Sequence, residues 1–263
     1  MSFRRGILSL LERTELAWEG VALTTAEAWR QTAPTRAALC RHWHRTCRRP
    51  LLWSFVYVTV FCALSYLLLD RPLARMLKAH VGGEVEGFFK VVTHLGEAQL
   101  YLIPAGLAWA GLMLASWRAA ARATRERLRR LAVAPGFLFL SMAVSGLISN
   151  AVKFSLGRYR PRYLFESDLY GFNFFSHAWG MNSFPSGHSQ AAFAAMTALV
   201  IIFPRYDLMW LSIATLVALS RVITTVHYLS DAVAGSWLAI CVTIAMARAF
   251  RAKGWEPRLG REW

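Results

Sequence analysis

Acidic residues are scarce in this chain, and charge of either sign is low. The 263 residues include 15 Asp and Glu against 30 Lys and Arg, and these four types make up 17% of the sequence. A soluble domain usually carries about 25% charged residues, whereas apolar residues here reach 56%. The composition excludes a disordered chain and argues against an ordinary cytosolic enzyme. It favours an integral membrane protein whose polar residues are concentrated in a few places.

Cysteine is also scarce, and its positions exclude a disulfide scaffold. Cys62 and Cys241 lie inside apolar runs, while Cys40 and Cys47 flank two histidines in a basic tail. The tail pattern C-x-H-x-H-x-x-C leaves two interpretations open. One is a zinc site, although the spacing matches no standard ligand pattern. The other is a polar tail with free thiols in a reducing compartment.

The first 30 residues contain no continuous apolar core, so no cleavable signal peptide is predicted. Residues 7–23 mix apolar and charged side chains. This stretch is interpreted either as a helix lying on the membrane surface or as a short soluble helix. Residues 1–50 are predicted to be a basic cytoplasmic extension, followed by a domain over 51–250 and a cytoplasmic tail over 251–263.

Six apolar runs approach the length of about 20 residues that a membrane-spanning helix needs. The predicted fold is therefore all-α, a polytopic bundle of six transmembrane helices. The predicted spans are Leu51–Leu69, Leu100–Trp117, Leu131–Ala151, Gln190–Pro204 (extended back to Gly187), Leu208–Val226 and Ala232–Ala247.

The distribution of positive charge predicts the orientation. An even number of spans places both termini on one side, and 21 of the 30 cations lie on that side, against nine on the other. By the positive-inside rule the arginine-rich side is cytoplasmic. Arginine clusters beside apolar runs indicate contact with anionic headgroups, so no nucleic acid partner is predicted.

Ionisable residues interrupt the apolar runs only at the opposite, non-cytoplasmic ends. The first group is K-F-S-L-G-R-Y-R-P, from Lys153 to Pro161. If one helix carried Lys153 and Arg160, their separation of seven residues would be about two turns, and both would point the same way. Two cations on one face would form a cradle for a dianion.

The second group is Pro185-Ser-Gly-His188, directly before the fourth span. Glycine lets a ligand approach the backbone closely, and the start of a helix offers free N–H groups and partial positive charge. Phosphate binds readily at such places. His188 has the right chemistry to protonate a leaving group near neutral pH.

The third group surrounds the end of the fifth span, where Ser220 and Arg221 are followed by His227 and Asp231. A spacing of four places the imidazole and the carboxylate on one face if both lie on a helix. A carboxylate bound to one ring nitrogen makes the other a better nucleophile. Arg221 adds a third cation that can bind phosphate oxygens in a bidentate manner.

Together these three groups resemble the tripartite signature of the type 2 phosphatidic acid phosphatase (PAP2) superfamily. The patterns K-x6-R-P, P-S-G-H and S-R-x5-H-x3-D match without departure, in order and at one membrane face. Each pattern alone is weak, whereas the ordered set is specific. The resemblance covers about residues 50–250 and leaves the first 50 outside.

The resemblance implies a metal-independent phosphatase without a cofactor. His227 would attack phosphorus and form a phosphohistidine, Asp231 would orient it, and His188 would protonate the leaving group and then activate water. Charge on the phosphoryl oxygens would be neutralised by fixed cations and backbone rather than by Mg²⁺. The implied phosphate-binding residues are Lys153, Arg160, Ser186, Gly187 and Arg221.

A site at the ends of the spans suits a phosphorylated lipid, and the active site is predicted to face the periplasm of a bacterial inner membrane. Undecaprenyl pyrophosphate, phosphatidylglycerol phosphate, phosphatidic acid and lipid A are the candidate substrates. A phosphotransferase that passes the phosphoryl group to a second lipid, and a non-catalytic lipid-binding protein, are the alternatives. The aromatic-rich segment 162–184 is either an interfacial anchor or a lid for the headgroup.

Overall fold

The computed structural model describes residues 48–175 and 180–259, together with His42 and Thr46. The proposed surface helix over 7–23, most of the candidate zinc site, and His177 and Trp179 of the aromatic segment lie outside these residues. Val56–Trp263 forms one compact unit, which holds all of the predicted site residues, and the chain up to Phe55 forms another.

Across the described part of the chain, the regular elements are helices, and one isolated β-bridge joins Arg158 to Phe172. A π-helical turn over Ser65–Leu69 follows the first helix, and short 3-10 turns occupy Thr93–Gly96 and Pro204–Tyr206. The α-helices are α1 (Pro50–Leu64), α2 (Asp70–His80), α3 (Gly83–Val92), α4 (Gln99–Arg118), α5 (Arg122–Leu156), α6 (Pro161–Ser167), α7 (Gly187–Ile202), α8 (Asp207–Ile223) and α9 (Leu229–Ala252).

The protein is a multi-pass membrane protein by the length and composition of these helices. Five helical stretches in the described residues are long and apolar enough to cross a membrane: Pro50–His80, Gly83–Arg118, Arg122–Leu156, Pro204–Ile223 and Leu229–Ala252. The remaining predicted span corresponds to α7, which is apolar but has only 16 residues. At 1.5 Å per residue α7 is about 24 Å long, so the count of six spans stays a prediction.

The stretches between the first three predicted spans are themselves largely helical. Residues 70–96 contain α2 and α3, and the arginine-rich stretch 118–130 mostly belongs to α5. Arginine has a high helix propensity, so charge alone does not end a helix. In α2, apolar Leu73 and Leu77 alternate with cations at a helical spacing, which suits a helix at a membrane surface.

Helix α7 is central and packs against α5, α8 and α9. Small side chains permit this, because alanine and serine let membrane helices approach closely. The face of α7 that carries Ala191, Ala194 and Ala195 is buried. Between α7 and α5, Gln190 Nε2 donates a hydrogen bond of 2.7 Å to Ser145 Oγ. This packing fixes the start of α7 relative to the C-terminal end of α5, where two of the three sequence groups lie.

Candidate active site

Lys153 and Arg160 do not share a helix, so that part of the sequence prediction is wrong. Helix α5 ends at Leu156, because Gly157 adopts the left-handed conformation with φ 55° and ψ 49°. Arg160 is the N-cap of α6, and Pro161 occupies the first position of that helix. The chain therefore turns between the two cations.

Lys153 is nonetheless placed directly at the glycine of the second group. A Cβ atom on Gly187 would lie 2.9 Å from Lys153 Nζ, so the ammonium group sits against the bare backbone at the start of α7. Arg160, at the start of α6, is held by Asn182: its Nε donates to Asn182 Oδ1 at 3.1 Å. Both cations are partly exposed.

Ser186 is the N-cap of α7 and is fully buried. Its Oγ accepts a hydrogen bond of 2.9 Å from Ser189 Oγ, which leaves its own hydroxyl proton available to a ligand. Its backbone N–H donates to the carbonyl of Asp231 at 2.9 Å. The N–H groups of Gly187 and His188 belong to the first turn of α7, which has no helical carbonyl partners. The second group is thus an anion-binding helix start fixed to α9.

This connection to α9 depends on Gly235. A Cβ atom on Gly235 would lie 2.5 Å from the Ser186 carbonyl oxygen and 3.3 Å from the Ser186 nitrogen. Backbone atoms cannot move aside as a flexible side chain can. Glycine is therefore required for the close approach between α9 and the start of α7.

We expect Gly235→Ala to reduce phosphatase activity by about a hundredfold or more, because a shift of about 1 Å in a positioning segment has an effect of that size. The matched control is Gly146→Ala on α5, where a new Cβ would meet only Gln190 Oε1, at 4.0 Å. Phosphate release by both purified variants is the measurement. Equal, near-wild-type rates for the two would show that this contact does not position the site.

His227 and Asp231 meet, although not on one helix face as predicted. His227 lies in the turn before α9, whereas Asp231 lies in the first turn of α9. The distance from His227 Nδ1 to Asp231 Oδ2 is 3.6 Å, longer than a hydrogen bond. Ser183 bridges the two: its Oγ donates to Asp231 Oδ2 at 2.6 Å and lies 3.3 Å from His227 Nδ1. Because Ser183 gives its proton to Asp231, it accepts one from Nδ1, which leaves Nε2 unprotonated.

The histidine is buried with 3% of its surface exposed, and Asp231 is fully buried. Burial lowers the pKa of His227 to about 3, Asp231 opposes this shift, and Arg221 and Arg160 add to it. The imidazole is therefore neutral at physiological pH. The Asp231 carboxylate also accepts the backbone N–H of Tyr228 at 2.9 Å, so helix capping fixes its position.

Arg221 and His188 contact a segment that the sequence analysis did not identify. Arg221 Nη1 donates to Thr93 Oγ1 at 2.6 Å. Three residues later, a Cβ atom on Gly96 would lie 3.0 Å from His188 Cβ. The 3-10 turn over Thr93–Gly96 thus forms one wall of the site. The segment carries no motif, so Gly96 was the single feature of the sequence that could have indicated a close approach there.

The residues of all three sequence groups therefore meet at one end of the bundle. Arg160 and Arg221 are close enough to act electrostatically on both His188 and His227, and Lys153 acts on His188. Together with the position of Lys153 at Gly187, this proximity groups three cations and two imidazoles at one site, with Asp231 beside His227. Cations arranged in this way around two imidazoles are suited to binding a phosphoryl group.

Ser183, Arg158 and Asp70 belong to the same cluster and were not predicted. Arg158 was visible inside the first sequence group, yet no role followed from its spacing. Asp70 had a weak signal, because it is one of few acidic residues and stands at the end of the first apolar run. Its partners Arg158 and Ser230 lie 88 and 160 positions away, which no local pattern reveals.

A bundle of membrane helices with this arrangement is what a membrane phosphatase requires. The sequence model of the PAP2 superfamily matches residues 134–255, which include all three groups. With a curated relative 30% identical over most of its length, the chain belongs to the PAP2 superfamily. The resemblance seen in the sequence is thereby confirmed, and the protein is a phosphatase of this type.

The relatives are lipid phosphatases of bacteria. The lipid A 1-phosphatase of Rhizobium johnstonii is 30% identical over 233 residues, covering 81% of this chain and 89% of the relative. That of Rhizobium etli is 30% identical over 206 residues, covering 76% and 87%. Among solved structures, a PAP2-type phosphatidylglycerolphosphate phosphatase from Bacillus subtilis aligns with a TM-score of 0.55 at 20% identity, covering 81% of this chain and 98% of that one. This last similarity concerns the fold alone.

Proposed function

We propose that the protein hydrolyses a phosphate monoester or pyrophosphate on a lipid, through a phosphohistidine on His227 and without a metal ion. The observation that carries this proposal is the convergence of Lys153, Arg160 and Arg221 on the His227–Asp231 pair and His188. Of the four candidate lipids, lipid A is favoured, because the two rhizobial relatives are lipid A 1-phosphatases aligned over 87–89% of their length.

The phosphoryl group would bind among the three cations, the Gly187 N–H and the Ser186 hydroxyl. Arg221 supports this placement, since its buried Nε has no hydrogen-bond partner among the described residues. An unpartnered buried guanidinium nitrogen is costly, and a phosphate oxygen would satisfy it. Lys153 Nζ, lying against Gly187, would meet the same phosphate.

In the first step, Nε2 of His227 attacks phosphorus in line with the leaving group. The P–N bond forms as the bond from phosphorus to the leaving oxygen breaks, and His188 donates a proton to that oxygen. The cations neutralise the charge on the three non-bridging oxygens. Asp231 stabilises the positive charge that develops on the imidazole, and Ser183 keeps the proton on Nδ1.

In the second step, a water molecule attacks the phosphohistidine. His188, now neutral, takes one proton from the water as its oxygen bonds to phosphorus, and the P–N bond breaks. Inorganic phosphate leaves, and His227 returns to its neutral form while His188 is again protonated. One residue thus acts as the acid of the first step and the base of the second.

We place the site at the periplasmic surface of a bacterial inner membrane, with six spans and both termini in the cytoplasm. Helix α5 supports this orientation, because its N-terminal end carries an arginine cluster that ends at Arg130, and its other end carries Lys153. Lys153 follows Arg130 by 23 positions, which corresponds to about 35 Å of helix, close to the thickness of a bilayer core. The arginines would then lie at the cytoplasmic surface and the active site at the opposite one.

Chelation is expected to leave activity unchanged. The fixed cations Lys153, Arg160 and Arg221 take the part that Mg²⁺ plays in kinases. In the described part of the chain, no group of three His, Cys, Asp or Glu side chains is arranged to hold a metal ion. Phosphate release by the detergent-purified protein is measured with and without EDTA. Loss of turnover on chelation, followed by recovery with Mg²⁺, would contradict metal independence.

A substrate panel tests the proposed function. The purified protein is incubated separately with lipid A, phosphatidylglycerol phosphate, phosphatidic acid and undecaprenyl pyrophosphate, and released phosphate is measured, with His227→Ala as the blank. We expect lipid A to be hydrolysed fastest and to lose its 1-phosphate. Release that requires a second lipid as acceptor would indicate the phosphotransferase, and no release from any of the four lipids would contradict the proposed substrate class.

A further inference from the structure

A buried charge cluster adjoins the catalytic pair at Asp231 Oδ1, the carboxylate oxygen other than the one nearest His227. Its centre is Arg158, with 1% of its surface exposed. Arg158 Nη1 donates to Asp231 Oδ1 and to Ser230 Oγ, and Nη2 donates to Asp70 Oδ2 at 2.8 Å. One guanidinium group thus joins two fully buried carboxylates through different nitrogens.

Asp70 is fixed as firmly as the arginine. Its Oδ1 accepts from Ser65 Oγ at 2.8 Å and from the Ser230 backbone N–H at 3.2 Å. Its Oδ2 accepts from Arg158 and from Ser230 Oγ. The carboxylate therefore connects Ser65, in the π-helical turn after α1, to Ser230 at the start of α9. Ser230 directly precedes Asp231. Because every bond is to a buried partner, Asp70 cannot shift without displacing Arg158 or Ser230.

Aromatic rings enclose the arginine. The centre of its guanidinium group lies 4.4 Å from the ring centroid of Tyr228 and 5.2 Å from that of Tyr66, and Tyr170 and Phe172 are each 5.6 Å away. These rings exclude water and add cation–π attraction. Charges in such surroundings interact far more strongly than charges in water.

We propose that Asp70 and Arg158 are positioning residues of this phosphatase, which hold Asp231 in place and keep the buried cluster at one net negative charge facing His227. The inference rests on the proposed role of His227 as the nucleophile. Two carboxylates and one guanidinium leave that single negative charge. Neither residue is placed against the phosphate; both act through Asp231.

The carboxylate of Asp70 explains how Arg158 can bind Asp231 without cancelling its charge. Arg158 paired with Asp231 alone would neutralise the charge that His227 needs when its ring becomes positive. Asp70 offsets the positive charge of Arg158, so Asp231 remains an effective anion towards the imidazole. Arg158 in turn allows two carboxylates to be buried close together, which their repulsion would otherwise prevent. Removal of either residue therefore changes the charge behind the nucleophile, and removal of both restores it.

Three variants and a matched control test this charge relation. Asp70→Asn brings the cluster to zero net charge, Arg158→Gln leaves two buried carboxylates without their counter-charge, and the double variant leaves Asp231 as the single charged group. The control is Asp168→Asn, which removes an exposed carboxylate paired with Arg75 of α2. The values of kcat and KM for lipid A are measured on the monodisperse folded fraction of each protein, beside wild type and His227→Ala.

We expect kcat to fall about tenfold in Asp70→Asn and about a hundredfold in Arg158→Gln, with KM within about twofold of wild type. The double variant should exceed Arg158→Gln by about tenfold in kcat, since residues in one network couple. Asp168→Asn should match wild type. A merely structural role predicts the opposite for the double variant, namely a loss at least as large as that of Arg158→Gln.

The outcomes separate this inference from the function on which it rests. Suppose that His227→Ala is inactive. Then wild-type kcat in Asp70→Asn, or no recovery in the double variant, overturns the positioning role but not the proposed function. A His227→Ala protein as active as wild type instead overturns the proposed function. Recovery of kcat at constant KM supports both.

Discussion

Replacing His227 with alanine is expected to lower turnover of the lipid substrate by at least about a thousandfold. The imidazole is the only side chain that the proposed reaction bonds to phosphorus, and no neighbouring group can replace it. Binding should persist, because Lys153, Arg160 and Arg221 remain in place. The measurement is phosphate release under saturating substrate, with a binding assay on the same preparation.

The control for this variant is Asp231→Asn. This substitution keeps His227 and the shape of the side chain at position 231, but it removes the negative charge beside the imidazole. We expect Asp231→Asn to lose less activity than His227→Ala, since an uncharged amide still accepts a hydrogen bond. Both variants should elute as folded protein in detergent. Wild-type turnover in His227→Ala would end the phosphohistidine account.

His188→Ala is expected to lower turnover of lipid A by about a hundredfold to ten-thousandfold, the usual contribution of a general acid or base. The loss should depend on the leaving group. With p-nitrophenyl phosphate, whose leaving group needs no proton, the first step survives and only the second is slow. We therefore expect a burst of about one equivalent of nitrophenol per site, followed by slow turnover.

The control for His188→Ala is His94→Ala. His94 lies on the same wall of the site but is exposed and paired with Glu97, with 2.6 Å between Nδ1 and Oε1. Near-wild-type rates are expected for it with both substrates. If His188→Ala shows neither a burst with the nitrophenyl ester nor a greater loss with lipid A, His188 does not act as acid and base.

The residues that meet at the site were predictable from sequence because the prediction depends on residue types in order. Histidine, lysine and arginine at the ends of apolar runs are costly unless they serve a function, and the three ordered groups identified the superfamily. The distribution of positive charge likewise predicted an orientation. The placement of His188 at the start of a helix was also predictable, because Ser186 is a favourable N-cap.

The geometry was less predictable, because it depends on where helices end. Spacings of seven and four were read as helical faces, but Gly157 ends α5 before Arg160, and α9 begins only after His227. The connections through Ser183 and Asp70 join residues 48 and 160 positions apart. Such contacts follow from the packing of the bundle, and no periodic sequence pattern predicts them.

The most direct test of the account is to trap the phosphorylated enzyme. His188→Ala is mixed with p-nitrophenyl phosphate that carries a radioactive phosphate group, because the first step with this substrate needs no acid. The protein is then quenched in alkali, digested and analysed by mass spectrometry. The account predicts one label per protein on His227, stable in alkali and lost in acid, as expected of a phosphorus–nitrogen bond. The doubly substituted protein that also carries His227→Ala should remain unlabelled. A label on another residue, or a label that persists without His227, would contradict the central claim.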